Sequence, residues 1–247
     1  MGALAAQATE GKSGFRQKEL RFYAELFSNW VTLGGVGITY AIHNNQVARY
    51  LSFLVTDGQA KSFTRARVPT YRLTRAGLFS ITATLTTRSY IENRSHGLLV
   101  WYFLKSYSTQ LKENMRAADS DFSRAHQIEM KQLLDTERFA LRQIQFAEQE
   151  IQRLTVRVST AENIYNSVTK LKSKGATLTE CIEYVAERFP YELDPQRSFK
   201  ETLKKLPPSV TEWEIGLGSL LRAQTLFSPM VRELEEYLEM MRRLSYT

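Results

Sequence analysis

The chain has 247 residues, 43% hydrophobic and 24% charged, which suits one large or two small globular domains. One cysteine, Cys181, excludes an internal disulfide or a cysteine metal cluster, and the longest strongly apolar run, Gly97 to Leu104, is too short to span a bilayer. The whole net charge of +7 sits in residues 1–95, which hold 12 Lys and Arg against 5 acids, while the remainder holds 21 of each. A basic part beside a balanced one is the electrostatic footprint of phosphate binding; a domain that is basic by chance is the plainer alternative.

In chain order, residues 1–14 are small and polar, with no apolar core behind a basic start. They predict a disordered tail rather than a signal peptide, and with the lone cysteine they point to the cytoplasm. Residues 15–90 read as the basic domain. Leu20, Tyr23, Ala24, Phe27, Trp30 and Val31 predict a first helix over about Arg16 to Leu33. A short second helix is expected from about Gly37 to Ile42, with His43, Asn44 and Asn45 forming the turn and cap of a third. In that third helix Val47, Leu51 and Leu54 share one buried stripe, and Gly58 supplies the left-handed terminator. Ala60 to Phe63 and Thr70 to Leu73 then read as two strands joined by an arginine-bearing loop, Thr64 to Pro69. Thr74 is placed as the N-cap of the following helix.

Residues 91–174 are expected to be long helices carrying a coiled-coil arm. Ile144, Ile151, Val158 and Tyr165 recur every seven residues and interleave with Ala140, Ala147, Leu154, Ala161 and Val168. An unbroken helix from Asp119 to Lys172 would be about 80 Å long at 1.5 Å per residue. The alanines imply close helix approach and leave pairing within the chain open. Residues 175–247 read as a C-terminal domain of short helices. Capping boxes stand at Thr177 with Glu180 and Ser209 with Glu212, and N-cap-plus-proline starts at Asp194-Pro195 and Ser228-Pro229. Gly216 to Ser219 reads as a helix break, and Val231, Leu234, Leu238, Met241 and Leu244 form a closing stripe.

The fold class expected is therefore mainly α with a small β-hairpin. The run from Val47 through Gly58 to the tract YRLTRAGL (Tyr71 to Leu78) resembles the winged helix-turn-helix superfamily, with PadR-like bacterial transcriptional regulators nearest in layout. The resemblance implies a third helix in the major groove of double-stranded DNA and a basic hairpin on the flanking phosphates or minor groove. It assigns Asn45, Gln46, Arg49, Tyr50 and Ser52 to base edges, with Asn44 beside them in the DNA-binding set. Lys61, Arg65, Arg67, Arg72 and Arg75 go to the backbone. A solvated polar face, or a protein-docking one, is the alternative.

Homodimerisation is expected through Ile144, Ala147, Ile151, Leu154, Val158, Ala161, Tyr165 and Val168, together with Val231, Leu234, Leu238 and Met241. The functional expectation is a dimeric transcriptional regulator. The alternative is an architectural or assembly subunit of a chromosome-organising or defence complex, which binds DNA without sequence specificity and docks a protein through its C-terminal helices. His43, His96 and His126 lack metal-ligand spacing, Cys181 lies on an apolar helix side, and Trp101, Tyr102, Phe103 and Tyr107 read as packing. No catalytic residue, metal, cofactor or membrane partner is expected.

Overall fold

The computed structural model describes residues 1–32, 41–117, 124–188 and 210–246. The chain is mainly helical with one two-stranded antiparallel sheet. It divides into one unit of Met1–Phe146 with Glu239–Thr247, and a second of Ala147–Leu238.

The first unit opens on helix α1, Gly2–Glu10, where a tail was expected. Ala3, Leu4, Ala5, Ala6, Gln7 and Ala8 are all buried. Alanine has the highest helix propensity, and its small side chain lets a helix lie close to its neighbours. A Cβ on Gly2 would stand 3.1 Å from the backbone nitrogen of Ala24, so the approach to the next helix is tight. Small residues give no bulky periodic stripe, which is why the pattern reads as a tail. A 3-10 turn at Gly11–Ser13 leads into α2, Gln17–Thr32. Of the expected second helix, residues 37–40 lie outside the described residues, and Ala41 and Ile42 are not helical.

Helix α3, Asn44–Thr56, buries Val47, Leu51 and Leu54 as its spacing requires, and Gly58 has φ +68°. Strand β1, Ala60–Arg65, pairs with β2, Val68–Leu73, in a register running from Ala60 opposite Leu73 to Arg65 opposite Val68. The strands thus run through the expected loop to a two-residue turn, Ala66-Arg67. Thr74 caps α4, Arg75–Thr87, by accepting the Gly77 N–H at 3.0 Å. Its hydroxyl also donates to the Gly58 carbonyl at 2.8 Å, and its own N–H to Gln59 O at 2.9 Å. One threonine therefore joins the end of α3 to the start of α4.

Helices α5, Arg94–Ala117, and α6, Arg124–Leu133, precede α7, Thr136–Ser173. The unbroken helix expected from Asp119 does not form. Asp135 Oδ1 accepts the N–H groups of Glu137 and Arg138 at 3.0 and 3.2 Å, a side-chain cap that starts a new helix. The 38 residues of α7 span about 57 Å. Gln143, fully buried, accepts the Tyr90 N–H at 3.0 Å and donates to Arg88 O at 2.9 Å, tying α7 to the α4–α5 connection.

In the second unit Ile164 and Val168 of α7 pack with Cys181 and Val185 of α8, Leu178–Arg188. The Thr177–Glu180 box forms in both directions, at 2.7 Å and 3.4 Å. Helix α9, Val210–Ser245, overturns two expected breaks, because it runs through both Gly216–Ser219 and Pro229. A proline removes one ladder hydrogen bond, but a stripe beyond it (Leu234, Tyr237, Leu238 and Met241) is buried and holds the helix in line. The starts expected at Asp194 and Ser209 lie outside the described residues.

The heptad pattern finds its partner at home. Ala140, Ile144, Ala147, Leu154, Ala161 and Val168 are buried within a single chain, as are Leu234, Leu238 and Met241; Ile151, Val158, Tyr165 and Val231 are half-buried. The expected dimer seam is thus largely an internal one. Arg157 lies over the Phe227 ring at 6.0 Å, placing α7 beside α9 in this unit.

A Cβ added to Gly77 would stand 1.9 Å from the backbone oxygen of Gln59. Backbone on both sides cannot yield cheaply, so Gly77→Ala is expected to cost about 3 kcal/mol or more. A urea titration followed by far-ultraviolet circular dichroism checks it; an unchanged midpoint would show that the two segments separate freely.

Candidate nucleic-acid interface

Helix α3 turns three polar side chains outward on one face: Asn45, Arg49 and Ser52, spaced i, i+4 and i+7 and all exposed. Two other residues of the expected DNA-binding set are already engaged. The side-chain oxygen of Asn44 accepts from Arg21 Nη1 at 2.9 Å and its carbonyl from Gln17 Nε2 at 2.8 Å, so this residue fastens α3 to α2. Gln46 Oε1 accepts the His43 N–H at 3.1 Å and closes the N-terminal cap. Tyr50, 42% exposed, lies on the flank of the helix, where burial pushes its phenol above the usual range and keeps it a neutral donor. Phe53, 55% exposed, sits one turn further along the same flank. Sequence reasoning passed over Phe53, although its place outside the Val47–Leu51–Leu54 stripe marks it on a helical wheel.

The hairpin adds a second group of cations. Lys61 and Arg65 alternate on β1 and are exposed, and Arg67 stands exposed at the turn. Lys61 lies directly opposite Arg72, a like-charge pair that repels. Arg72 resolves this by laying its guanidinium over the Phe63 ring, 5.4 Å from the centroid, and donating to the Lys12 carbonyl. It is exposed but structurally occupied. Arg75 is half-buried at the first turn of α4 and engaged with a partner, so it leaves the open group. Among the described residues, no carboxylate forms an ion pair with Arg49, Lys61, Arg65 or Arg67. The structure brings together on neighbouring elements α3 and β1–β2 a set of four exposed cations, flanked by Asn45, Ser52, Tyr50 and Phe53.

The turn carrying Arg67 is strained. Ala66 and Arg67 both have positive φ, 47° and 63°, in a two-residue hairpin turn where asparagine and glycine are the usual occupants. Neither residue relieves the Cβ clash of the left-handed region. A proline in β2 and no Asn-Gly or Asp-Gly signal explain why the sequence read as a longer loop; Pro69 is tolerated in a strand with an open edge.

Other candidates carry little chemistry. No three His, Cys, Asp or Glu side chains among the described residues could hold a metal ion. Cys181 is buried, and that burial, with Glu180 beside it, pushes its thiol up, away from the reactive thiolate. Trp101 and Phe103 are 5% and 2% exposed and serve as core. No described helix is long and apolar enough to cross a membrane.

Replacing Ala66-Arg67 with Asn-Gly is expected to raise stability by about 1–2 kcal/mol by relieving two left-handed residues. Differential scanning calorimetry checks the sign: a lower melting temperature would mean the native turn is not strained. No family model matches the chain, and no curated protein and no solved structure matches it.

Proposed function

We propose that the chain binds duplex DNA through α3 and the β1–β2 hairpin, in the manner of a winged helix-turn-helix, and acts as a transcriptional regulator. One observation carries the reading: four exposed cations, on a helix and an adjoining hairpin, form no ion pair among the described residues. The order of α2, α3, hairpin and α4 suits such a module, whose additional short helix between α2 and α3 is not among the described residues, and α3 presents a polar outward face. Strain at the Arg67 turn supports it further, because a cation kept where glycine is cheaper argues for a task at the tip.

A second reading is favoured by two particular findings. Asn44 and Gln46 are spent on the fold, which leaves Asn45, Arg49 and Ser52 as the outward polar set, a short list for reading base edges. The heptad seam is largely covered by its own chain, so the palindromic geometry of a seam-paired dimer loses its basis. Both findings suit an architectural or assembly subunit that grips DNA of any sequence.

The double variant Arg49→Ala/Arg67→Ala is expected to lose at least about tenfold in duplex affinity at 0.1 M salt and to flatten the salt dependence by about 2 in log–log slope, with its circular dichroism spectrum intact. Equal affinity of variant and parent overturns DNA binding by this face. Selection from a random duplex pool separates the readings: an enriched motif supports the regulator, and salt-sensitive retention without one supports the architectural subunit.

A further inference from the structure

We propose that Gln7, in the buried N-terminal helix, is a positioning residue for the nucleic-acid face: it fixes the direction of the hairpin without touching the ligand. The proposal rests on the reading above that the hairpin grips nucleic acid.

A two-stranded hairpin is marginal by itself and needs a third element to fix its direction. Here the N-terminal segment supplies one, residue by residue, along β2. Tyr71 and Phe15 exchange both backbone hydrogen bonds at 2.8 Å, and their rings lie 6.4 Å apart. Arg72 donates to Lys12 O. Leu73 donates its N–H to Gln7 Oε1 at 2.9 Å. Three successive strand residues are therefore held by residues 15, 12 and 7, and Gln7 makes the innermost tie, where β2 passes into the Thr74 cap.

Gln7 itself is only 2% exposed and stands in a helix otherwise filled by alanine and leucine. Its amide is fully used. Nε2 donates to Gly11 O at 2.7 Å, and the residue's own carbonyl accepts from Asn114 Nδ2 of α5 at 3.2 Å. An apolar side chain of the same size would pack at this place with no buried polar atom to satisfy. The amide is needed because it bridges the turn after α1 to the end of β2, while the backbone carbonyl of the same residue holds that point of α1 to α5. Removing it leaves the Leu73 N–H without its acceptor and frees the base of the hairpin. Cations held in fixed positions match the phosphate spacing better than cations on a swinging ribbon.

The test is a binding titration of a fluorescent random-sequence DNA duplex against salt. It compares the full chain with Gln7→Met, with Arg65→Ala/Arg67→Ala, and with the three changes combined. Gln7→Met is expected to weaken binding about tenfold and to flatten the salt slope toward that of the arginine pair, each lost phosphate contact contributing about 0.9. In the Arg65→Ala/Arg67→Ala background Gln7→Met is expected to cost much less, only what still passes through Lys61, the open hairpin cation that remains. Val185→Ala, which opens the α7–α8 core instead, is expected to leave affinity unaltered. Asn114→Ala, which removes only the α5 hold on Gln7, is expected to give the Gln7→Met pattern at smaller amplitude, and it carries the test if Gln7→Met does not fold. Wild-type affinity in Gln7→Met and in Asn114→Ala, with the arginine pair weakened, overturns the positioning role. So does an equal loss in both backgrounds, or the same loss in Val185→Ala. Undiminished binding by the arginine pair overturns the parent reading instead.

Discussion

The amide of Gln7 is the contact on which the geometry of the first unit depends. A helix with four alanines in its nine residues contributes little apolar area per residue, so α1 holds its place by closeness and by this polar link. Its acceptor oxygen meets the last N–H of β2, its donor meets the turn that ends α1, and its backbone meets α5. A buried amide with every polar atom satisfied specifies one arrangement and penalises the others, since any shift strands a donor or an acceptor. The hairpin has nothing comparable of its own: one partner strand, a strained turn, and faces that carry like charges.

Charge follows from this frame. The basic excess of residues 1–95 is not spread evenly through the fold. Arg16 and Arg21 pair with Glu19 and Glu25 on α2, and Arg72 is absorbed by Phe63 and Lys12. Among the described residues Lys12 and Arg88 also stay exposed without an ion pair, and on α3 and the hairpin the open cations are Arg49, Lys61, Arg65 and Arg67. Exposed pairs contribute little to stability, so the paired arginines mark where the fold uses its charge, and the open ones where it has no structural use for it.

Local signals in the sequence were legible and distant ones were not. The α3 stripe, its Gly58 terminator, the Thr74 cap and the Thr177–Glu180 box each depend on residues within one or two turns, and each is found where its spacing puts it. The hairpin existed on paper, but its turn was misplaced because tertiary ties to residues 7–15 stabilise strands that Pro69 and a left-handed Ala66-Arg67 would discourage alone. Helix α1 was invisible because alanine leaves no hydrophobic signature until something lies against it. The passage of α9 through Pro229 has the same cause in reverse: burial further along outweighs a local breaker. The start of α7 was legible in Asp135, whose side chain caps it, and the heptad pattern from Ala140 to Val168 lies wholly inside that helix, so nothing in it required a start at Asp119. For the site, the exposed cations were legible by composition. The loss of Asn44, Gln46, Arg72 and Arg75 to structural duty was not, since their partners lie on other elements or in backbone caps.

The occupied seam changes what a heptad pattern implies here. Alanine at 140, 147 and 161 brings a facing helix close, and such a groove suits one neighbour at short range. Because the chain itself covers most of it, the repeat stabilises the chain's own interior. On the proposed reading, a chain that does not pair through this seam would meet one segment of DNA at a time, and its affinity would rest on the few phosphates within reach of α3 and the hairpin. The placement of each cation therefore matters more than it would in a two-fold assembly, where doubled contacts offset imprecision. That is the physical reason a buried glutamine far from any ligand bears on binding.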